Sequence, residues 1–235
     1  MSAYVEGLKK GDIFNEYTLV EDFSPSANGF ISHAKRNGED FFIKAFARPK
    51  YPKNTHLMSE KIIQKKKERC QVFQKNFIDM VEVFKDNLNQ KNGQLIYPVE
   101  FHRLDSTYIQ ISPRIEIAHQ DPNELRSYPS ELKVILLKSL TNAITLLHKH
   151  KIVHSDLKFD NVLIKKTKTN IPVAKIIDFD GSYFDKRPHL PEYMHFDQSY
   201  MAPELSLYNQ KNPIIKNEDL TTQADVFSLG IIFHE

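Results

Sequence analysis

Along the first fifty positions apolar and polar residues alternate; beyond them they settle into a helical period. Tyr17-Thr18-Leu19-Val20 and Phe30-Ile31-Ser32-His33-Ala34 flank a small-residue turn, Ser24 to Gly29, and read as two strands. Asn37-Gly38 is a hairpin signal leading into a third strand, Asp40 to Phe46. Pro49 and Pro52 end it, because proline has no N–H for the ladder. From Leu57 to Leu88 the apolar residues Cys70, Phe73, Phe77, Val81, Phe84 and Leu88 recur in steps of three and four, which predicts one long amphipathic helix. Its other face is Lys, Glu, Gln and Asn, and Asn92-Gly93 closes it. Leu95 to Phe101 and Tyr108 to Ile111 read as another strand pair. Residues 1–116 are therefore expected to form a small antiparallel sheet with one long helix.

The second half changes character. Residues 119–130 are rich in Pro and Asp and suit a linker. Leu132, Ile135, Leu136, Leu140, Ile144 and Leu147 fall on one face of a helix expected over 131–150. Val162 to Ile164 and Ala174 to Ile177 read as short strands around a turn, and a helix returns near Asp225 to Gly230. Residues 117–235 are expected to be mainly helical, giving an α+β fold class in two lobes.

Composition narrows the function classes. The 235 residues are 40% hydrophobic and 26% charged, an ordinary globular balance. A net charge of +2 gives no footprint for nucleic acid, and the Lys65-Lys66-Lys67 run reads as a solvated helix face. No apolar run is long enough to span a bilayer, and no signal-peptide pattern opens the chain. The single cysteine, Cys70, excludes an internal disulfide; it lies on the apolar face of the long helix, where it reads as core packing. A cytoplasmic location is the expectation. The ten histidines show no metal-ligand spacing, and apart from His154 they read as surface or packing residues.

Chemistry concentrates in three stretches in a fixed order: His154-Ser155-Asp156-Leu157-Lys158-Phe159-Asp160-Asn161, then Asp178-Phe179-Asp180-Gly181, then Ala202-Pro203-Glu204. With Lys44 on the third strand, they resemble the protein-kinase superfamily from about Tyr17 to the last residue. The resemblance implies a two-lobe fold, ATP with Mg2+ or Mn2+, and a protein substrate. Asp156 would orient the acceptor hydroxyl and Lys158 would reach the transferred phosphoryl group, a serine/threonine-type feature. Asn161 and Asp178 would hold metal, and Lys44 the phosphates. The glycine-rich loop corresponds to Ser24–Ile31, where Ser26, Gly29 and Ile31 would meet the nucleotide although only one of three glycines remains. Glu60, Glu68 and Glu82 are candidate partners for Lys44; Glu68 is preferred because Val72, four residues on, is expected to face the core. His154 and Asp225 take structural roles.

Three departures carry expectations of their own. Ser155 stands where the family commonly has arginine, so activity is expected not to need phosphorylation of the activation segment. Asp180 replaces glycine and is either a second metal-side carboxylate or, preferentially, a solvated turn residue. Ser182, Tyr183, Tyr193 and Ser199 are candidate phosphosites. The chain stops at Glu235 inside an apolar helix, which leads us to expect a truncated second lobe, or a partner or dimer covering the gap. An atypical, bacterial or bacterial-effector kinase is the reading of the origin; an effector would act in a host cytosol. The alternatives are a pseudokinase serving as a binding module and a small-molecule kinase, the latter opposed by Ala202-Pro203-Glu204.

Overall fold

The computed structural model describes residues 5, 7–26, 28–53, 58–87, 93–115, 125–194 and 197–234. The chain divides into two compact units: Met1–Asn87 with Tyr97–Ile115, and Leu88–Ile96 with Glu116–Glu235.

The first unit is an antiparallel sheet with one long helix. Its strands are β1 (Ile13–Phe14), β2 (Tyr17–Leu19), β3 (Ser24–Ser26), β4 (Gly29–Arg36), β5 (Glu39–Phe46), β6 (Glu100–Leu104) and β7 (Thr107–Pro113), in the order β1-β2-β4-β5-β7-β6, with β3 paired to β4. The Asn37-Gly38 turn joins β4 to β5 with both residues at positive φ, the geometry that matches strand twist. Asn15-Glu16 does the same between β1 and β2, a hairpin too short to show in the pattern.

Strand alternation gives the sheet two different faces. Phe41, Ile43, Ala45, Ile109 and Ile111 join Phe14, Tyr17, Leu19 and Phe23 in a buried cluster on one side. Lys44, Phe46, Tyr108, Gln110 and Phe101 point the other way, since directly paired residues share a face. Helix α1 (Glu60–Asn87) packs on that second face. Phe77 stacks on Phe101 at 4.6 Å, and Phe73 meets Phe46 at 5.5 Å and Tyr108 at 5.3 Å. Removing such a ring costs about 3–5 kcal/mol. Cys70 is buried in the same stripe, and burial pushes its thiol up in pKa, as a packing residue requires.

The second unit holds α2 (Ser130–Lys149), β8 (Ile152–Val153), β9 (Val162–Lys166), β10 (Pro172–Ile176), β11 (Tyr183–Phe184), α3 (Pro203–Asn209) and α4 (Gln223–His234). β9 and β10 form one hairpin, and β8 pairs with β11. Leu95 and Ile96 do not start the β6 strand as the pattern suggests. Leu95 bridges Ile176 in parallel, Ile96 N–H donates to Ile176 O at 2.8 Å, and Lys175 bonds the Gly93 carbonyl. Among the described residues no helix is long and apolar enough to cross a membrane.

Candidate active site

The loop from His154 to Asn161 lies between β8 and β9, and its shape comes from buried polar bonds. Ser155 has φ 67, a conformation that costs a residue with a Cβ about 1 kcal/mol or more. Asp225 on α4 holds it there. Fully buried, its carboxylate accepts the His154 N–H at 2.8 Å and the Ser155 N–H at 2.9 Å, and meets His148 Nε2 at 2.9 Å. Ser155 Oγ donates to Gly181 O at 2.8 Å, and Ser182 Oγ returns a bond to His154 O at 3.2 Å. The His154 ring donates from Nε2 to Ile177 O at 2.9 Å and lies 5.0 Å from the Phe179 ring. The loop and the Asp178–Gly181 stretch are thus sewn together, with His154 and Asp225 in the structural roles that the resemblance implies.

Asp156 sits in the middle of this frame with 16% of its side chain exposed. Its Oδ2 accepts from Asn161 Nδ2 at 3.2 Å and lies 3.3 Å from Lys158 Nζ. Its Oδ1 accepts the Asp197 N–H at 3.1 Å. Asn161 Nδ2 also donates to the Asp156 carbonyl at 2.8 Å, so both amide hydrogens are directed at Asp156 and the amide oxygen is left to accept or ligate. The Ile177 N–H donates to Asn161 O at 3.0 Å, which brings the backbone of Asn161 next to Asp178. Asp178 itself has φ 63 and starts a 3-10 turn over Phe179–Gly181.

The donor set tests the implied metal. Among the described residues no three His, Cys, Asp or Glu side chains cluster as an all-protein cage. Asp178, one residue beyond the backbone bond from Ile177 to Asn161, carries a carboxylate and Asn161 an amide oxygen, which are hard-oxygen donors of the kind Mg2+ takes alongside substrate phosphates. The residues fit the ion.

The sheet carries the other predicted residues. Lys44 is 7% exposed and lies opposite Ile31 on β4 and Gln110 on β7. Ser24–Ser26 and Gly29–Ile31 pair as a hairpin rather than forming an open turn. Ser26 Oγ is shielded from solvent and has no partner among the described residues, an orphan donor at the hairpin tip. Gly29 has a packing role the sequence did not reveal. A Cβ there would stand 2.0 Å from the Ala45 carbonyl oxygen.

Several expectations are corrected. Val72 is 70% exposed, and Glu68 is exposed too, accepting from Gln64 Nε2 at 3.0 Å. Glu68 lies on the side of α1 opposite the aromatic stripe, so the reason for pairing it with Lys44 fails; Glu60 and Glu82 are also exposed. Asp180 is no solvated turn residue, because both its carboxylate oxygens are shielded. Ser182 and Tyr183 are buried and closed to modification; Tyr193 is half-buried and Ser199 exposed. Tyr183 lies in a cluster with Val153, Met194, Leu205 and Leu220. Burial, then the nearby Asp225 and Glu204 carboxylates, drive its phenol far above the ordinary tyrosine range. Its sequence neighbourhood is polar, and nothing local marks it as core.

Comparison with known proteins agrees with the geometry. The family model of the protein kinase domain matches residues 27–235, and the chain belongs to that family. It is 29% identical over 182 residues to the dual specificity protein kinase zak2 of Dictyostelium discoideum, covering 74% of this chain and 24% of that protein. It is 25% identical over 172 residues to the same organism's "Probable serine/threonine-protein kinase fnkE", covering 70% of this chain and 12% of that protein. It is 32% identical over 105 residues to the serine/threonine-protein kinase atg1 of that organism, covering 45% and 14%. The chain spans about a quarter or less of the length of these relatives.

Proposed function

We propose that this chain is an ATP-dependent protein kinase domain that transfers the γ-phosphoryl group to serine or threonine hydroxyls. The observation that carries the reading is Asp156, held at once by Asn161, Lys158 and the Asp197 N–H. A carboxylate fixed on several sides and still partly open is suited to orient a hydroxyl and take its proton. As the acceptor oxygen bonds to phosphorus, the bond from phosphorus to the leaving diphosphate breaks, and the hydroxyl proton goes to Asp156. Lys158 lies beside Asp156, where its ammonium balances the charge on the transferred group. Asn161 and Asp178 would hold Mg2+ or Mn2+, which neutralises phosphate charge. Lys44 would hold the phosphates, with Ser26, Gly29 and Ile31 along the same nucleotide.

The serine/threonine choice is supported by Lys158 and by the names of two of the relatives. Independence from loop phosphorylation is part of the reading, because Ser155 ties the loop to Gly181 through a neutral hydrogen bond where an arginine would need a phosphate. Cytosolic residence fits a lone cysteine kept as a buried thiol.

Labelled ATP with Mg2+ tests the proposal. The wild-type chain is expected to label a generic protein substrate, and Asp178→Asn to abolish the label. ATP-dependent thermal stabilisation without label in the wild type would favour the pseudokinase alternative, for which the glycine-poor hairpin speaks.

A further inference from the structure

The outward side of α1 carries a charge pattern that is its own complement. Lys61, Lys65, Glu68, Val72, Lys75, Asp79 and Glu82 follow one another in strictly alternating steps of four and three. That spacing keeps side chains on one stripe along a helix. The stripe lies opposite the inward row of Cys70, Phe73, Phe77 and Phe84. Asp79 is half-buried and the other six are exposed, with Val72 at the centre 70% exposed. In order, the signs are plus, plus, minus, apolar, plus, minus, minus. Reversing the order and exchanging the signs returns the same series.

Two copies of α1 laid antiparallel about a dyad at Val72 therefore bring unlike charges together at every step. Asp79, seven residues after Val72, meets Lys65 of the second copy, seven residues before it. Lys75 meets Glu68 of the second copy, and Glu82 meets its Lys61. Each contact occurs twice, because the dyad exchanges the copies. Laid parallel, the same stripe would set every charge against itself. Within a single helix the stripe is poorly matched. Lys61 and Lys65 are like charges one turn apart, as are Asp79 and Glu82. Lys61 also stands in the first turn, where the helix dipole disfavours a cation. Lys75 Nζ lies 3.0 Å from Asp79 Oδ1, and in the pair that contact joins a row reaching Lys65 and Glu68 of the second copy.

We propose that the outer face of α1 is a self-association surface through which two copies of this chain pair antiparallel about Val72. One apolar residue flanked by exposed ions makes a weak contact that salt dissolves. The pairing needs nothing from Lys44 or Asp156, so it is independent of the catalytic reading.

Sedimentation equilibrium of the full chain tests it. At low salt a rising concentration series is expected to pass from monomer to dimer. At about 1 M salt, where the screening length is about 3 Å, the chain should return to monomer. Glu68→Lys and Lys75→Glu each set like charges across the dyad twice, and each alone should weaken pairing at least about tenfold. Mixed in equal amounts, these two variants complement each other at both contacts, and pairing should return to within about threefold of wild type. Thermal unfolding checks that each variant folds. If one does not, Lys65→Glu with Asp79→Lys repeats the exchange at the next contact. A wild type that stays monomeric at low salt overturns the proposal. So does a dimer that the folded single variants leave intact, and so does a mixture in which pairing fails to return.

Discussion

Lys44 and Asp156 are positioned by opposite means. Lys44 stands on a strand whose register is set by backbone ladders on both sides and by an apolar cluster behind it. Any side chain at that position would point the same way. Asp156 stands in a loop whose neighbours Ser155 and Asp178 adopt positive φ, and its placement depends on Asp225, Asn161 and Asp197. The sheet is robust to exchange of single polar groups and sensitive to changes of backbone spacing. The loop is the reverse, since each buried polar partner removed leaves others unsatisfied.

The largest break in that comparison should come from Asp225→Ala. It strands two backbone N–H groups and the His148 ring, and we expect a loss of about 4 kcal/mol in denaturant unfolding together with loss of phosphoryl transfer. Next is Gly29→Val. The added side chain meets the Ala45 carbonyl, so β4 must part from β5, at a cost of about 3 kcal/mol read by the same assay.

A smaller effect sharpens the contrast within the sheet. Burial alone would raise the pKa of Glu100, but hydrogen bonds from His102, Tyr17 and Arg36 outweigh it and the net shift is downward. The carboxylate therefore binds its proton less readily in the folded chain. Its contribution to stability is present above the ordinary carboxylate range and is lost as pH falls through the lowered value. Glu100→Gln should cost about 2 kcal/mol at neutral pH and flatten the acid limb of a stability–pH profile. Smallest of all is Glu68→Ala. On the exposed side of α1 it should change stability by under about 0.5 kcal/mol and leave ATP binding unchanged. Weakened nucleotide binding would restore Glu68 as the partner of Lys44.

What could be read from the chain follows the same division. The periodicity of α1 and the Asn37-Gly38 turn are local signals, and both appear where residue pattern places them. The His154–Asn161 loop is visible through its residue types; the structural role of Asp225 follows from the family resemblance and not from any local pattern. Asp225 lies some seventy positions away, and its bonds to the loop depend on how α4 packs. Strands β1, β8 and β11 have two residues each, too few for a period, and exist because a partner elsewhere pairs with them. Glu68 faces away from the sheet because Cys70, Phe73 and Phe77 fill the inward face of α1 and leave Val72 outside the core, which the three-and-four spacing alone does not decide. Gly29 was legible as a loop glycine; the Ala45 carbonyl that requires it comes from the neighbouring strand.

The most direct test compares single-turnover transfer from labelled ATP by wild type and Asp156→Asn, with ATP affinity measured on the same samples. The account predicts affinity within about threefold and transfer slowed by at least about a hundredfold, the contribution of a positioned base. Transfer at the wild-type rate by the asparagine variant would contradict it.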